Sequence, residues 1–387
     1  MLKAGIHKLI YGRHRAARRY QPLNRIELHR SAVLNNFRLL QSQHPDFSIM
    51  PVLKANAYGH GLAEMAQILN DVNCDLLAVD GYFEAAKIRF QTKHRILVLG
   101  YIKPENVALL DIKRCSFVVQ DASCLSAFGL LRRPVKVHLE LNTGMNRLGL
   151  VPSEVDSHLK VLKSYPSLEL EGIMTHLADA DNVSNDFTDT QVELFDKQVK
   201  HIIAKGFRPK YIHIAQTAGS TKVSSQTANG IRLGIGLYGI NPLMPKDPHH
   251  DDLKGLEPVL ELISTIIKVN DLKPGDKVSY SGIFTAPKAM RIATLPLGYY
   301  EGVPRSLSNI GVVSQGNLIL PVVGRICMNH TMIGLNGNDL KVGDEITVIS
   351  SDPLKPNSVV QICSANKLFA YSLLTGISDS IRREIVS

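Results

Sequence analysis

The sequence predicts an α/β chain: a (β/α)8 barrel of the TIM type, followed by a mostly antiparallel β domain. Three observations predict it. From about residue 27 to 245, eight short apolar runs alternate with longer stretches, several of them amphipathic. Strand and helix in alternation make a parallel sheet, and eight such units close it into a barrel. Near residues 246–258 the texture changes to a polar, proline-bearing linker, "PKDPHHDDLKGLEP", and β-rich runs with turn residues follow. The expected division is a basic N-terminal extension over 1–23, the barrel over 24–250 and the β domain over 251–387.

The eight runs, in order, are "SIMPVLKAN", "LLAVD", "RILVLG", "SFVVQ", "KVHLELN", "LEGIMTH", "YIHIA" and "IRLGIGLYG". Each is short, apolar and bounded by turn residues, the pattern of a strand buried on both faces. Between them, "HGLAEMAQILNDV", "EVDSHLKVLKSY" and "FTDTQVELFDKQVKHIIAKG" place apolar residues at helical spacing. In the fifth run Val135, Val137, Leu139 and Leu141 alternate with Lys136, His138, Glu140 and Asn142. The apolar set would face the helices and the polar set the barrel interior. Beyond the linker, "LELISTIIKVN", "KPGDKVSYSG", "AMRIATLPLG", "GNLILPVVG" and "KVGDEITVIS" read as strands and hairpin turns.

Composition narrows the function. Hydrophobic residues make up 44% of the 387 and charged ones 20%, an ordinary globular balance. No run approaches the length of a membrane span. Five scattered cysteines without a CxxC pair fit a reducing, cytoplasmic setting, and no metal site is expected. The net charge of +9 is concentrated at the start, where residues 1–26 hold seven Lys or Arg and no acid. Removing those seven from the 44 bases leaves 37 against 35 acids, so the body carries no nucleic-acid footprint. The leader lacks a secretory apolar core and has no serine before Ser31, so it reads as a solvated arm.

The chemistry starts at "MPVLKANAYGHG", where an apolar run delivers Lys54 to a strand end among small residues. Barrel sites lie at the C-terminal ends of strands. An ammonium there either snorkels to solvent or is kept as an amine nucleophile whose pKa falls on burial. An isolated lysine would leave both readings open.

The motif resembles the cofactor-lysine segment of alanine racemases, two-domain enzymes that use pyridoxal phosphate on a β/α barrel. The similarity runs from about residue 24 to the end and returns in order. It appears in "NTGMNRLG", "MTHLADAD", "HIAQTAG", "IRLGIGLYG", "VSYSG", "LPLGYYEG", "VGRICM" and "YSLLTGISDSIRR". The resemblance implies a homodimer with shared active sites that interconverts L- and D-alanine by two bases. Lys54 would serve one face of the substrate and Tyr280, from the partner subunit, the other. A free tyrosine has a pKa near ~10, and the family stabilises its phenolate through residues matching His176 and Arg232. Arg232 also matches the arginine that faces the cofactor's pyridine nitrogen. By the same resemblance the phosphate meets Tyr58, Thr217, the backbone of Gly234 and Ile235, and Tyr371. The substrate carboxylate meets Arg147 and the N–H of Met328, again from the partner. Tyr299, with Arg305, matches the narrow entrance. In bacteria the family supplies D-alanine for peptidoglycan.

Several positions depart from the family's pattern. Gln216 precedes Thr217 where the family has Asn before Ser. "GYYEG" and "CMN" replace motifs resembling GYADG and CMD, marking Tyr300, Glu301 and Asn329. Glu140 stands where many members carry a carbamylated lysine, and the resemblance implies that it supplies that negative charge to Arg147 itself, across a bridging water or with a shift of Arg147, since glutamate is the shorter side chain. Because these departures lie near the pocket, a broad-specificity or serine racemase is the first alternative. A decarboxylase of the same barrel type would carry a cysteine- and glycine-rich acidic motif that is missing. A non-catalytic pyridoxal phosphate carrier would lack the second domain.

Overall fold

The computed structural model describes residues 21–387. The basic extension expected over 1–23 therefore lies almost wholly outside the described residues. All eight expected barrel strands are present and parallel. They are Ser48–Pro51, Leu76–Val79, Arg95–Val98, Cys115–Val119, Val135–Glu140, Leu168–Met174, Tyr211–Gln216 and Gly230–Leu233. Each neighbours the next, Gly230–Leu233 returns to Ser48–Pro51, and a Val52–Ala78 bridge joins the first strand to the second. The barrel is closed or nearly so.

Local chemistry fixes the outer layer. The helix Ala122–Leu130 starts where the Asp121 carboxylate accepts from the Cys124 N–H at 2.8 Å. The helix Pro152–Ser164 starts on a proline, and Glu154 Oε2 accepts from the Val151 N–H at 3.0 Å. Both devices satisfy amides that a helix start leaves without partners. The longest helix, Asp186–Ala204, buries Val192, Phe195, Val199 and Ile202 on one stripe and carries Asp186 and Asp189 in its first turn.

The second domain holds a six-stranded sheet and a three-stranded antiparallel sheet, Lys268–Leu272, Met290–Leu295 and Thr331–Gly334. One boundary differs from the sequence reading. The strand Asn24–His29, counted there with the barrel, pairs antiparallel with Leu260–Thr265 and parallel with Arg382–Val386 in the six-stranded sheet. Leu28 and Ile26, on this strand, are fully buried. One apolar core runs from the barrel helices through this sheet, so the two domains share a packed boundary. A smaller cluster, Val278, Ile292, Val323 and Met332, backs the segment that carries Tyr280.

Candidate active site

At the C-terminal mouth of the barrel lies a cavity of about 330 Å³. Lys54, Tyr58, Glu140, Arg147, His176, Gln216, Arg232 and Gly234, all singled out from sequence, line it. Lys54 stands three residues beyond the first barrel strand and opens a short turn, Lys54–Tyr58. It is half-buried, and burial pulls its pKa below the usual lysine value. Asp80 opposes that pull, while Arg147 and Arg232 add to it. A larger share of the amine is therefore neutral at a given pH than for a free lysine.

Arg232 is the fixed point of the site. Nearly fully buried, it donates through Nη2 to the carbonyls of Thr175 at 2.6 Å and Ile214 at 3.0 Å. Its Nη1 donates to the His213 carbonyl at 2.9 Å. Burial lowers its pKa to about 10, against the pull of Glu140, so it stays charged at neutral pH. Two imidazoles also receive its protons: His176 Nδ1 at 3.2 Å and His213 Nδ1 at 2.9 Å.

Because guanidinium has no acceptor, these contacts fix tautomers. Both Nδ1 atoms accept, so both protons sit on Nε2. His213 Nε2 then donates to His138 Nδ1 at 2.8 Å, and His138 turns its own Nε2–H towards Glu171 Oε2 at 3.4 Å. Glu171 is buried at the other end of the barrel with Arg95, Lys136 and Ser116. Burial raises its pKa, and hydrogen bonds from His138, Arg95, Lys136 and Ser116 outweigh that and hold it far below the carboxylate range. His176 is kept neutral, with a pKa lowered to about 3 by burial first and by Arg232, Arg147 and Lys54 next.

Beside the cavity is a cradle of hydroxyls. A Cβ on Gly234 would meet Tyr58 Oη at 3.0 Å and Thr217 Oγ1 at 3.9 Å, so the glycine keeps the space between them open. The Gly236 N–H donates to Thr217 Oγ1 at 3.1 Å. The single turn Ile235–Tyr238 begins here, and its first N–H groups have no acceptor within the turn. Tyr371, from the second domain, brings its ring 6.0 Å from that of Tyr58. Hydroxyls around a void at the start of a turn fit a phosphate.

Glu140 and Arg147 line the same cavity without direct contact. Its Oε2 accepts from Gln120 Nε2 at 3.1 Å, and among the described residues no ion pair joins it to Arg147. Position explains this: Arg147 sits in the exposed loop after the strand, while Gln120 follows directly on the neighbouring strand, whose Val119 is level with Leu139. Gln216 donates to the Leu177 carbonyl at 3.2 Å, and its Oε1 is buried without a partner. Sequence reasoning missed Asp80, Gln120 and His213. The first two stood at the ends of expected strands, where barrel sites lie.

Tyr280, Met328 and Tyr299 are not in this cavity. Tyr280 stands on the outer side of the second domain, 69% exposed, on a turn flanked by Ser279 and Ser281 at positive φ. It lines a shallow groove with Cys327 and His330. Met328 is 54% exposed, and Tyr299 lies in a separate groove beside Phe369.

Fold and site together define a two-domain barrel enzyme with a half-buried amine, a neutral imidazole and a hydroxyl cradle at the strand ends. Comparison with known proteins narrows the class. The alanine racemase N-terminal domain matches residues 28–242 and the alanine racemase C-terminal domain matches 259–385. An alanine racemase of Methanococcus maripaludis is 32% identical over 366 residues, covering 92% of this chain and 97% of that protein. The solved alanine racemase of Clostridium difficile 630 superposes with a TM-score of 0.87 at 28% identity, covering 95% of this chain and 97% of that one. That of Bacillus anthracis, solved with bound L-Ala-P, gives 0.86 at 28%, covering 95% and 96%. The chain belongs to the alanine racemase family, enzymes that isomerise amino acids.

Proposed function

We propose that the chain interconverts L- and D-alanine with pyridoxal phosphate, as a homodimer whose two active sites each draw on both subunits. The observation that carries the reading is the convergence of Lys54, His176, Arg232 and the hydroxyl cradle on one cavity. Tyr58, Thr217, Gly234, Ile235 and Tyr371 would hold the phosphate, and Lys54 the aldehyde end. Bound there, pyridoxal phosphate supplies the electron sink that makes the substrate Cα–H acidic.

The chain's own groups do the rest. Lys54 Nζ, made less basic by burial, takes or returns the Cα proton on one face. Tyr280 Oη, lent by the partner, does so on the other, and its 69% exposure in one chain leaves it free to reach a neighbour's site. His176 carries its proton on Nε2, because Nδ1 accepts from Arg232, and so offers a donor to a phenolate. Arg232 would face the ring nitrogen with a charged donor that does not give up its proton. Arg147 and the Met328 N–H would take the substrate carboxylate. Tyr299 would narrow the entrance. Glu140, held by Gln120, sets negative charge near Arg232. The setting would be the cytoplasm, with D-alanine passing to peptidoglycan.

The test is Cα proton exchange followed by NMR in deuterated water, with pyridoxal phosphate and L-alanine, L-serine or L-lysine. Exchange with racemisation of alanine is expected, lost in Lys54→Ala, while Tyr280→Phe slows exchange from one enantiomer selectively. Comparable turnover of serine or lysine would shift the reading to a broad racemase, and no exchange with any of them would overturn it.

A further inference from the structure

Two positions that stand out in the sequence, Glu301 and Asn329, touch in the structure. Glu301 is 9% exposed, and both its carboxylate oxygens are used. Oε2 accepts from the Gly298 N–H at 2.7 Å, and Oε1 accepts from Asn329 Nδ2 at 2.7 Å. The bond spans two loops that also meet through their backbones. The Tyr299 N–H donates to the Cys327 carbonyl at 3.0 Å, and the Tyr300 N–H to the Met328 carbonyl at 3.0 Å. A Cβ on Gly298 would lie 2.1 Å from the Cys327 carbonyl oxygen, so the loops approach as closely as glycine allows.

Between these ties lies the segment 327–329, which carries the Met328 backbone, while Tyr299 rides on the facing loop. The backbone bonds hold Cys327 and Met328 by their carbonyls, and Asn329 is held by its side chain alone among the contacts to Glu301. We infer that Glu301 and Asn329 form a positioning clamp, which sets the Met328 N–H for the substrate carboxylate and the Tyr299 ring at the entrance. This rests on the racemase reading above, in which both groups serve a substrate site. The chemistry of the pair is directional. A carboxylate accepts only, so its partner must donate. Asparagine meets that need, and aspartate would place two like charges at hydrogen-bond distance.

The directionality makes a swap experiment possible. In Asn329→Asp the donor becomes an acceptor, and KM for alanine is expected to rise about tenfold with a smaller change in kcat, since two like charges at hydrogen-bond distance push the segment 327–329 away from its place. Amide hydrogen exchange, read without substrate, should quicken over residues 298–302 and 327–330. In Glu301→Gln alone the effect is mild, because the asparagine amide can turn to present its oxygen. In the double variant Glu301→Gln/Asn329→Asp the introduced glutamine offers its oxygen to Gly298 and its NH2 to the new carboxylate. KM and exchange should return to within about twofold of the wild type, a rescue that charge loss alone does not produce. Unchanged KM in Asn329→Asp, with the wild type turning over alanine, overturns the clamp and spares the racemase reading. Failure of the double variant to recover overturns the clamp as well. A wild type that turns over none of the amino acids overturns both.

Discussion

At the scale of single residues, the site depends on groups that never face the cavity. His138 has room for its ring because position 172 is glycine: a Cβ there would sit 2.2 Å from His138 Nδ1, the atom that accepts from His213. Gly172→Ala must expel that ring or displace the strand. Overpacking and a stranded polar group together are expected to remove about 2–4 kcal/mol of stability. Urea unfolding checks this, and a loss under about 0.5 kcal/mol would show that the imidazole chain can be abandoned cheaply. The same contacts explain what the sequence could and could not disclose. Lys54, Tyr58, His176 and Arg232 each lie in a motif whose neighbours announce it. His213 and Gln120 matter through partners on other strands at the same level of the barrel, and no local pattern encodes that level. Alternation put His138 and Glu140 inside the barrel, but their partners, His213 and Gln120, come from closure of the sheet.

At the scale of elements, the turn after Lys54 is unusual. Ala55, Asn56, Ala57 and Tyr58 all have φ between 51° and 55°. Left-handed backbone costs roughly 1–2 kcal/mol per L-residue, so surrounding contacts must hold it. Asn56 Oδ1 accepts from the Leu62 N–H at 2.9 Å, and Arg383 Nη2 donates to the Gly59 carbonyl at 2.8 Å. Gly59, at φ 81°, lies where a Cβ would be 2.0 Å from the Leu374 carbonyl oxygen of the second domain. The turn is thus pressed against the helix Ala370–Thr375, which also carries Tyr371. Gly59→Ala is expected to cost at least about 3 kcal/mol and to part Tyr58 from Tyr371, weakening retention of pyridoxal phosphate. Gly81→Ala, where nothing lies within 4 Å, is the matched control and should stay within about 0.5 kcal/mol. Thermal unfolding and cofactor absorbance after gel filtration read both, and equal losses in the two variants would sink the argument. The strands around this turn were legible from apolar runs. Its hand was not, since only Asn56 among the four favours positive φ. Nor was the placement of Asn24–His29, whose partners lie more than 200 residues away in sequence.

For the whole molecule, the buried imidazoles set how it responds to acid. Burial lowers the pKa of His60 to about 4 and of His176 to about 3, and it lowers those of His138 and His213 as well. Unfolded, each of the four would bind a proton near pH 6.5. Between that value and about pH 4 the unfolded chain therefore holds more protons, and stability falls as pH falls. His29 acts in the opposite sense: its bond to Glu261 raises its pKa, so its contribution is present at low pH and lost as pH rises. Burial lowers the pKa of His44 too, and five histidines against one leave a net loss on acidification. Each excess proton contributes about 1.4 kcal/mol per pH unit, so a slope above about 2 kcal/mol per unit is expected between pH 6 and 4.5. Carboxylates that their partners hold low, such as Glu171 and Glu261, pull in the same direction towards the lower end of that window, so a histidine variant is needed to read the imidazole share. Urea midpoints at pH 7.5, 6 and 4.5 measure the slope, and His60→Gln should flatten it by about one proton's worth. A slope near zero in the wild type would mean that these imidazoles are reached by water, and the tautomer chain from Arg232 to Glu171 would fall with it.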